Sequence, residues 1–247
     1  MSTNVAVVMA GGKGTRMKSD LPKVLIPVLG RPMIEYVLDA LEEAGVDRMF
    51  VVVGHRAELV QETLSHRRGL TYCLQAEQLG TGHAVMMCRE RLADHDGPVL
   101  VVAGDSPMMQ SSSIRGLFEA FHRDRPACIL GTANKEDPQG LGRVVRDEQG
   151  RFIGIVEEKD ATAEQRAITE VNLSCYLFDC SHLLRSLDQL NADNAQAEYY
   201  ITDCPGILLR EGHDVRALNI LQACESLSIN TPVELSIVEE ALTEMRG

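Results

Sequence analysis

No two cysteines in this sequence stand at C-x-x-C spacing, and their number is odd: seven, at positions 73, 88, 128, 175, 180, 204 and 224. Cys175 and Cys180 lie five apart, so on one continuous strand they would face opposite sides. A structural zinc site and a disulfide framework are both disfavoured, and reduced, buried thiols are expected. Long apolar runs are missing too. None approaches membrane-spanning length, and the first, Val5 to Ala10, is too short for a signal sequence and runs into glycines. The expected location is the cytoplasm, with no membrane partner. Cations are scarce: 24 Lys and Arg stand against 36 Asp and Glu, a formal net charge of -12. That balance argues against nucleic acid as a partner. Linkers, repeats and low-complexity segments are also absent. A chain of 247 residues, 45% hydrophobic, is long enough to bury about three quarters of its unfolded surface without staples.

What is present alternates. Val5 to Met9, Met49 to Val53 and Val99 to Ala103 are continuous apolar runs, as in strands buried on both faces. Between and after them, Pro32 to Ala44, Ala57 to Ser65, Thr81 to Leu92 and Ser113 to His122 are predicted helices. Pro near the start and Gly45 after the end bound the first, and serines are available to cap the last. Leu70 to Leu74 is a further short strand, and the second half is richer in strands: Ala127 to Ala133, Gly142 to Arg146, Phe152 to Glu157, Asn172 to Phe178 and Val215 to Asn219. Asp147 to Gly150 is a predicted turn. Ser181 to Leu190 and Val233 to Met245 are predicted helices. So is the segment ending at Arg210, if it begins near Cys204 so that Pro205 falls in its first turn. The pattern predicts an α/β fold: a Rossmann-like, mixed but mainly parallel sheet flanked by helices.

The first strand ends in Met9-Ala10-Gly11-Gly12-Lys13-Gly14-Thr15-Arg16. Glycines let a backbone turn sharply and bring N–H groups close to an anion. The string fits neither G-x-x-x-x-G-K-[ST] nor G-x-G-x-x-G, because Met17 stands where the last glycine of the second would fall. Its distinguishing feature is basic company. Residues 1–23 carry Lys13, Arg16, Lys18 and Lys23 against the single acid Asp20. Arg16 offers a planar fork to phosphate oxygens, and Lys23 follows Pro22, which fixes the local backbone. At the end of the third buried run stands Gly104-Asp105. The carboxyl end of a strand is where open α/β sheets bind ligands.

With "LPKVL" behind it, "MAGGKGTRM" resembles the sugar-1-phosphate nucleotidylyltransferases. "LQAEQLGTGHA", "GDSP", "GLGRVVRD", "GIVEEKDATAEQR" and "NAQAEYYITD" follow in order and resemble the uridyltransferase domain of bacterial N-acetylglucosamine-1-phosphate uridyltransferase, over roughly residues 5–232. The resemblance implies transfer of a uridylyl group from UTP to N-acetylglucosamine 1-phosphate, releasing pyrophosphate, by in-line displacement at the α-phosphorus. It implies one domain over residues 1–247: a nucleotide-binding half to about 125, a sugar-binding half from about 126 to 232, and a closing helix over 233–247. Arg16 and Lys23 are the implied catalytic cations. Met9, Ala10, Gly11, Gly12 and Gly104 are implied to bind the nucleotide, with Gln75, Gly80 and Thr81 at uracil. Gly142, Glu157 and Asn172 form the implied sugar set. Asp105 and Asn230 are the implied oxygen ligands of Mg²⁺, a hard cation that keeps waters and phosphate oxygens in its remaining positions.

Plainer structural roles exist for several of these: a helix position for His83, a helix cap for Thr81, a surface pair with Lys159 for Glu157. The chain departs from the family at Ala103, where an aromatic residue is usual, and at Asn172-Leu173-Ser174, where Asn-Thr-Gly usually runs. It also carries no hexapeptide repeats, so no acetyltransferase activity is expected of it. Two other readings are the same reaction on another pair, such as dTTP with glucose 1-phosphate, and a non-catalytic regulator that binds a nucleotide sugar. An oligomer is compatible with the sequence but not indicated by it.

Overall fold

The structure, a computed structural model, describes residues 3–14, 17, 19–194 and 196–246. The strands are β1 (Val5–Ala10), β2 (Pro27–Val28), β3 (Arg31–Pro32), β4 (Arg48–Val53), β5 (Leu70–Leu74), β6 (Pro98–Ala103), β7 (Cys128–Asn134), β8 (Gly142–Arg146), β9 (Phe152–Val156), β10 (Glu170–Asp179) and β11 (Val215–Asn219). The helices are α1 (Met33–Glu43), α2 (Ala57–Thr63), α3 (Thr81–Met86), α4 (Arg89–Leu92), α5 (Ser111–Asp124), α6 (Ala163–Arg166), α7 (Cys180–Leu187), α8 (Asp203–Arg210) and α9 (Pro232–Arg246).

One mixed sheet runs β11-β7-β10-β6-β1-β4-β5, with the β8–β9 hairpin attached to β10. Along that path β11–β7, β6–β1, β1–β4 and β4–β5 are parallel, and β10 alone is antiparallel to both its neighbours. The mixed, mainly parallel sheet flanked by helices is therefore as the sequence predicts. Alternate residues of β1 go to opposite faces: Ala6 and Val8 pack with α1, α2 and α5, while Val5 and Val7 pack with α3, α7 and α8. Burial on both faces is why this strand lacks polar alternation. A third cluster, with Ile229, Val238 and Leu242, fastens α9 onto the small β2–β3 hairpin and Met33.

Three local expectations need correction. Thr81 to Leu92 is not one helix. Met87 and Cys88 donate to carbonyls three residues back, Ala84 and Val85, and the chain tightens there before α4 begins. The serines of α5 do not cap it, because Ser111 to Ser113 lie inside the helix and no side chain of the N-cap residue Gln110 bonds back. The capping carboxylate is Glu225, which accepts from the Gln110 N–H at 3.0 Å and from Ser113 Oγ at 2.5 Å. Thr81 likewise caps nothing: the N-cap is Gly80, and Thr81 Oγ1 accepts from the Ile201 N–H at 3.1 Å. Pro205 does fall in the first turn of α8, and all seven cysteines are free thiols, six buried and Cys224 half-buried.

Candidate active site

The sheet reverses its winding at β1. The chain leaves β1 toward β4 and leaves β6 toward β7, so a crevice opens outside the carboxyl ends of these two neighbours. The glycine loop follows β1 and Gly104-Asp105 follows β6, and the Gly104 N–H donates to the Met9 carbonyl at 2.9 Å. A Cβ on Gly104 would stand 3.0 Å from that same oxygen, so the close approach of the two strand ends requires glycine.

Lys23 reaches into this crevice from a short 3-10 turn, Lys23–Leu25, set by Pro22 at φ -49°. Its N–H donates to the Gly12 carbonyl at 3.3 Å. Gly14, at φ +65°, lies so near that a Cβ there would meet Lys23 Cβ at 2.9 Å. The ammonium is mostly buried and donates to Asp105 Oδ2 at 2.5 Å and to Asn230 Oδ1 at 2.8 Å. Asn230 is held by its neighbours. Its N–H donates to Glu234 Oε2 at 2.8 Å, its Nδ2 donates to Ser228 Oγ at 3.2 Å, and Thr231 Oγ1 accepts from the Glu234 N–H at the start of α9. Asp105 and Asn230, far apart in sequence, thus place two oxygens on one cation, and Asn230 is 207 positions from that cation's own residue.

The other side of the glycine loop faces the segment after β5. Gln75 is 3% exposed, and its Nε2 donates to the Gly80 carbonyl at 3.0 Å and to His83 Nδ1 at 3.2 Å. Gly80 adopts φ +103°, and a Cβ there would lie 2.5 Å from the Tyr199 carbonyl. A Cβ on Gly11 would lie 2.9 Å from Gln75 Oε1.

Gly142, Glu157 and Asn172 lie in one cross-strand row. Asn172 of β10 pairs with Gly142 of β8 and with Thr132 of β7; Glu157 follows β9, whose Val156 pairs with Arg143. A Cβ on Gly142 would meet Ile155 Cγ2 at 3.0 Å and Glu157 Oε1 at 3.5 Å. Asn172 Nδ2 donates to the buried Tyr176 hydroxyl at 2.6 Å. A cavity of about 620 Å³ opens beside this row, and Glu157, Ser174, Thr81, Tyr200 and Asp203 line it. Burial pushes the Asp203 carboxyl up, with Arg210 opposing.

The sequence pattern of the MobA-like NTP transferase domain matches residues 6–200. The chain belongs to this NTP transferase family. It is 41% identical to the bifunctional protein GlmU of Enterococcus faecalis over 99% of its length, and 44% identical to that of Bacillus cereus over 97%. It spans about half the length of these curated relatives, 54% and 52%. Two solved structures share the fold at low identity. One is a Bacillus anthracis protein described as a glucose-1-phosphate thymidylyltransferase, in complex with sucrose (TM-score 0.79, 20% identity, 97% of this chain and 95% of that one). The other is a UDP-glucose pyrophosphorylase with UDP-glucose (TM-score 0.76, 17% identity, 99% and 100%).

Of the residues singled out in the sequence, Arg16 lies outside the described residues. Met9, Ala10, Gly11, Gly12, Gly104 and Asp105 lie at or just beyond the carboxyl ends of β1 and β6, and Lys23 and Asn230 are bonded to them or to each other. Gln75, Gly80 and Thr81 flank the crevice, and Glu157 opens onto the neighbouring cavity. Gly142 and Asn172 stand in the row beside that cavity without lining it. Among the described residues no ion pair joins Glu157 to Lys159, though both line the cavity. Sequence reasoning missed Gly54, whose Cβ would collide with Gln78 Nε2 at 2.8 Å and the Gly11 carbonyl at 3.0 Å. Tyr200 and Asp203, within the NAQAEYYITD motif, line the cavity without any signal in the sequence that marks them individually. A cavity of about 580 Å³ at the far end of the sheet holds none of these residues, and its Arg146, Arg151 and Arg216 are each paired with a carboxylate.

Proposed function

We propose that this chain transfers a uridylyl group from UTP to N-acetylglucosamine 1-phosphate in the cytoplasm, giving UDP-N-acetylglucosamine and pyrophosphate. The observation that carries the reading is one cation, the Lys23 ammonium, held at 2.5 Å by Asp105 and at 2.8 Å by Asn230 at the winding reversal of the sheet. A carboxylate and an amide oxygen converging on one positive charge are a donor set that suits Mg²⁺, whose remaining positions go to water and phosphate oxygens. Bound to Asp105 and Asn230, the metal would offset the charge that gathers on the triphosphate. Lys23, on its flexible stem, would then turn from these two oxygens to the phosphates.

The protein's own part is alignment and charge. An oxygen of the sugar phosphate attacks the α-phosphorus, and the bond to the β-phosphate oxygen breaks. No protein nucleophile is needed. Backbone N–H groups of the glycine loop cradle the phosphates. Arg16 is assigned to the departing pyrophosphate on the strength of the family motif. The cavity at Glu157 takes the sugar, where a carboxylate accepts from hydroxyl groups. The 41–44% identity to GlmU proteins supports this substrate pair.

Pyrophosphate release over four NTPs and several sugar 1-phosphates tests the reading. UTP with N-acetylglucosamine 1-phosphate is expected to give the highest kcat/KM. Preference for dTTP with glucose 1-phosphate would replace the substrate pair. Nucleotide-sugar binding without turnover on any pair would replace the enzyme with a regulator.

A further inference from the structure

His83 takes no part in the reading above, yet it touches the residue assigned to the base. The Gln75 side chain is nearly sealed from solvent, and its Nε2 has two partners, the Gly80 carbonyl at 3.0 Å and His83 Nδ1 at 3.2 Å. A carbonyl oxygen only accepts, so the Gly80 contact fixes which end of the amide is nitrogen. His83 Nδ1 faces the same NH₂ group and must therefore be the unprotonated ring nitrogen. Both N–H donors of the amide are then used internally. The end that remains is Oε1, directed at Gly11, where even a methyl group would come within 2.9 Å of it. No described hydrogen bond uses Oε1, and its atom is not among the buried polar atoms left without a partner. Both residues flanking this amide are glycines: a Cβ on Gly80 would run into the Tyr199 backbone, and one on Gly11 would press on Oε1 itself.

We infer that His83 is a positioning residue that locks Gln75 as a pure acceptor, so that the site selects a base with a donor at ring N3. The inference rests on the proposed uridylyl transfer and on the base-reading role that the family resemblance implies for Gln75. Uracil carries N3–H and matches. Cytosine carries a lone pair at N3, which would put two acceptors face to face, an arrangement that leaves buried polar groups unpaired. Thymine also carries N3–H, so this lock separates UTP from CTP and leaves UTP and dTTP to be told apart elsewhere.

The test is the ratio of kcat/KM for UTP to that for CTP, measured by pyrophosphate release in wild type, His83→Leu, His83→Asn and His83→Gln. Leucine fills space without an acceptor. Asparagine places an amide oxygen near the position of Nδ1, and glutamine places one near Nε2. The UTP preference is expected to fall about tenfold or more in H83L, the factor for leaving one amide N–H unpaired. It should return to within about threefold of wild type in H83N and stay low in H83Q. If H83L fails to fold, the H83N and H83Q pair carries the comparison. An unchanged ratio in H83L, or equal ratios in H83N and H83Q, overturns the role of His83. A wild-type enzyme with no preference for UTP over CTP removes the base assignment itself, a different failure that the same data identify.

Discussion

At the scale of single residues, several glycines of the site are required by close approach or by a positive φ. Gly80 is the sharpest case. Its φ of +103° and ψ of 176° belong to a region that only glycine occupies readily, and a Cβ would be driven into the Tyr199 carbonyl. Gly80→Ala is expected to cost about 1–3 kcal/mol of stability in urea unfolding. It should also raise KM for the nucleotide more than KM for the sugar phosphate, because Gly80 also anchors Gln75. Equal effects on both substrates would detach Gly80 from the base. Ser174 is the reverse case. It sits in a β-bulge at φ +55°, where the related motif carries glycine, and it lines the cavity beside Glu157. A side chain tolerated at that φ is a strained one, so Ser174→Gly is expected to raise the melting temperature by a few degrees, in line with about 1 kcal/mol. A lower melting temperature would mean that the serine hydroxyl outweighs the strain.

Among the elements, the strands buried on both faces were legible because their apolar runs have no other explanation. The helix breaks were less legible. The apolar spacing from Thr81 to Leu92 continues through Met87 and Cys88 unchanged, so nothing in the pattern marks where the backbone tightens. The cap of α5 was hidden for a different reason: its carboxylate, Glu225, comes from far along the chain, and sequence reading reaches only local caps. The β2–β3 hairpin is two residues on each side, too short for any periodicity. Contacts between strands also lie beyond the sequence, and one carries a prediction. Glu170 of β10 accepts from Arg146 of β8 at 2.6 Å and from Thr132 Oγ1 of β7 at 2.6 Å. Burial raises the Glu170 carboxyl, but the hydrogen bonds from Arg146 and Thr132 bring it below its ordinary value of 4.5. A carboxyl lowered in the folded state contributes stability above pH 4.5 that is lost as pH falls through the folded value. Glu170→Gln should therefore lower the urea midpoint at pH 7, and the gap from wild type should close below pH 4.5. A gap that stays constant with pH would mean that the charge is not what holds these strands.

For the whole molecule, the sheet order does what no single segment does. The loop after β1 and the Gly-Asp after β6 are far apart in sequence and adjacent in space, and α9 brings Asn230 to the same point. Motif resemblance named Lys23, Asp105 and Asn230; the physical reading of Asn230 alone would have left it a loop residue before Pro232. Their convergence on one charge appears only in three dimensions. So does the cavity lined by Glu157, Tyr200 and Asp203, because among the described residues its wall from 196 to 202 has no helix or strand to signal it. On the proposed function, Asp105 serves nucleotidyl transfer and not merely the fold. The most direct measurement is the rate of pyrophosphate release from UTP and N-acetylglucosamine 1-phosphate with Mg²⁺ by Asp105→Ala, beside its melting temperature. The expected result is a loss on the order of a hundredfold or more in kcat with the melting temperature within a few degrees of wild type. A near-normal rate in that variant would contradict the account.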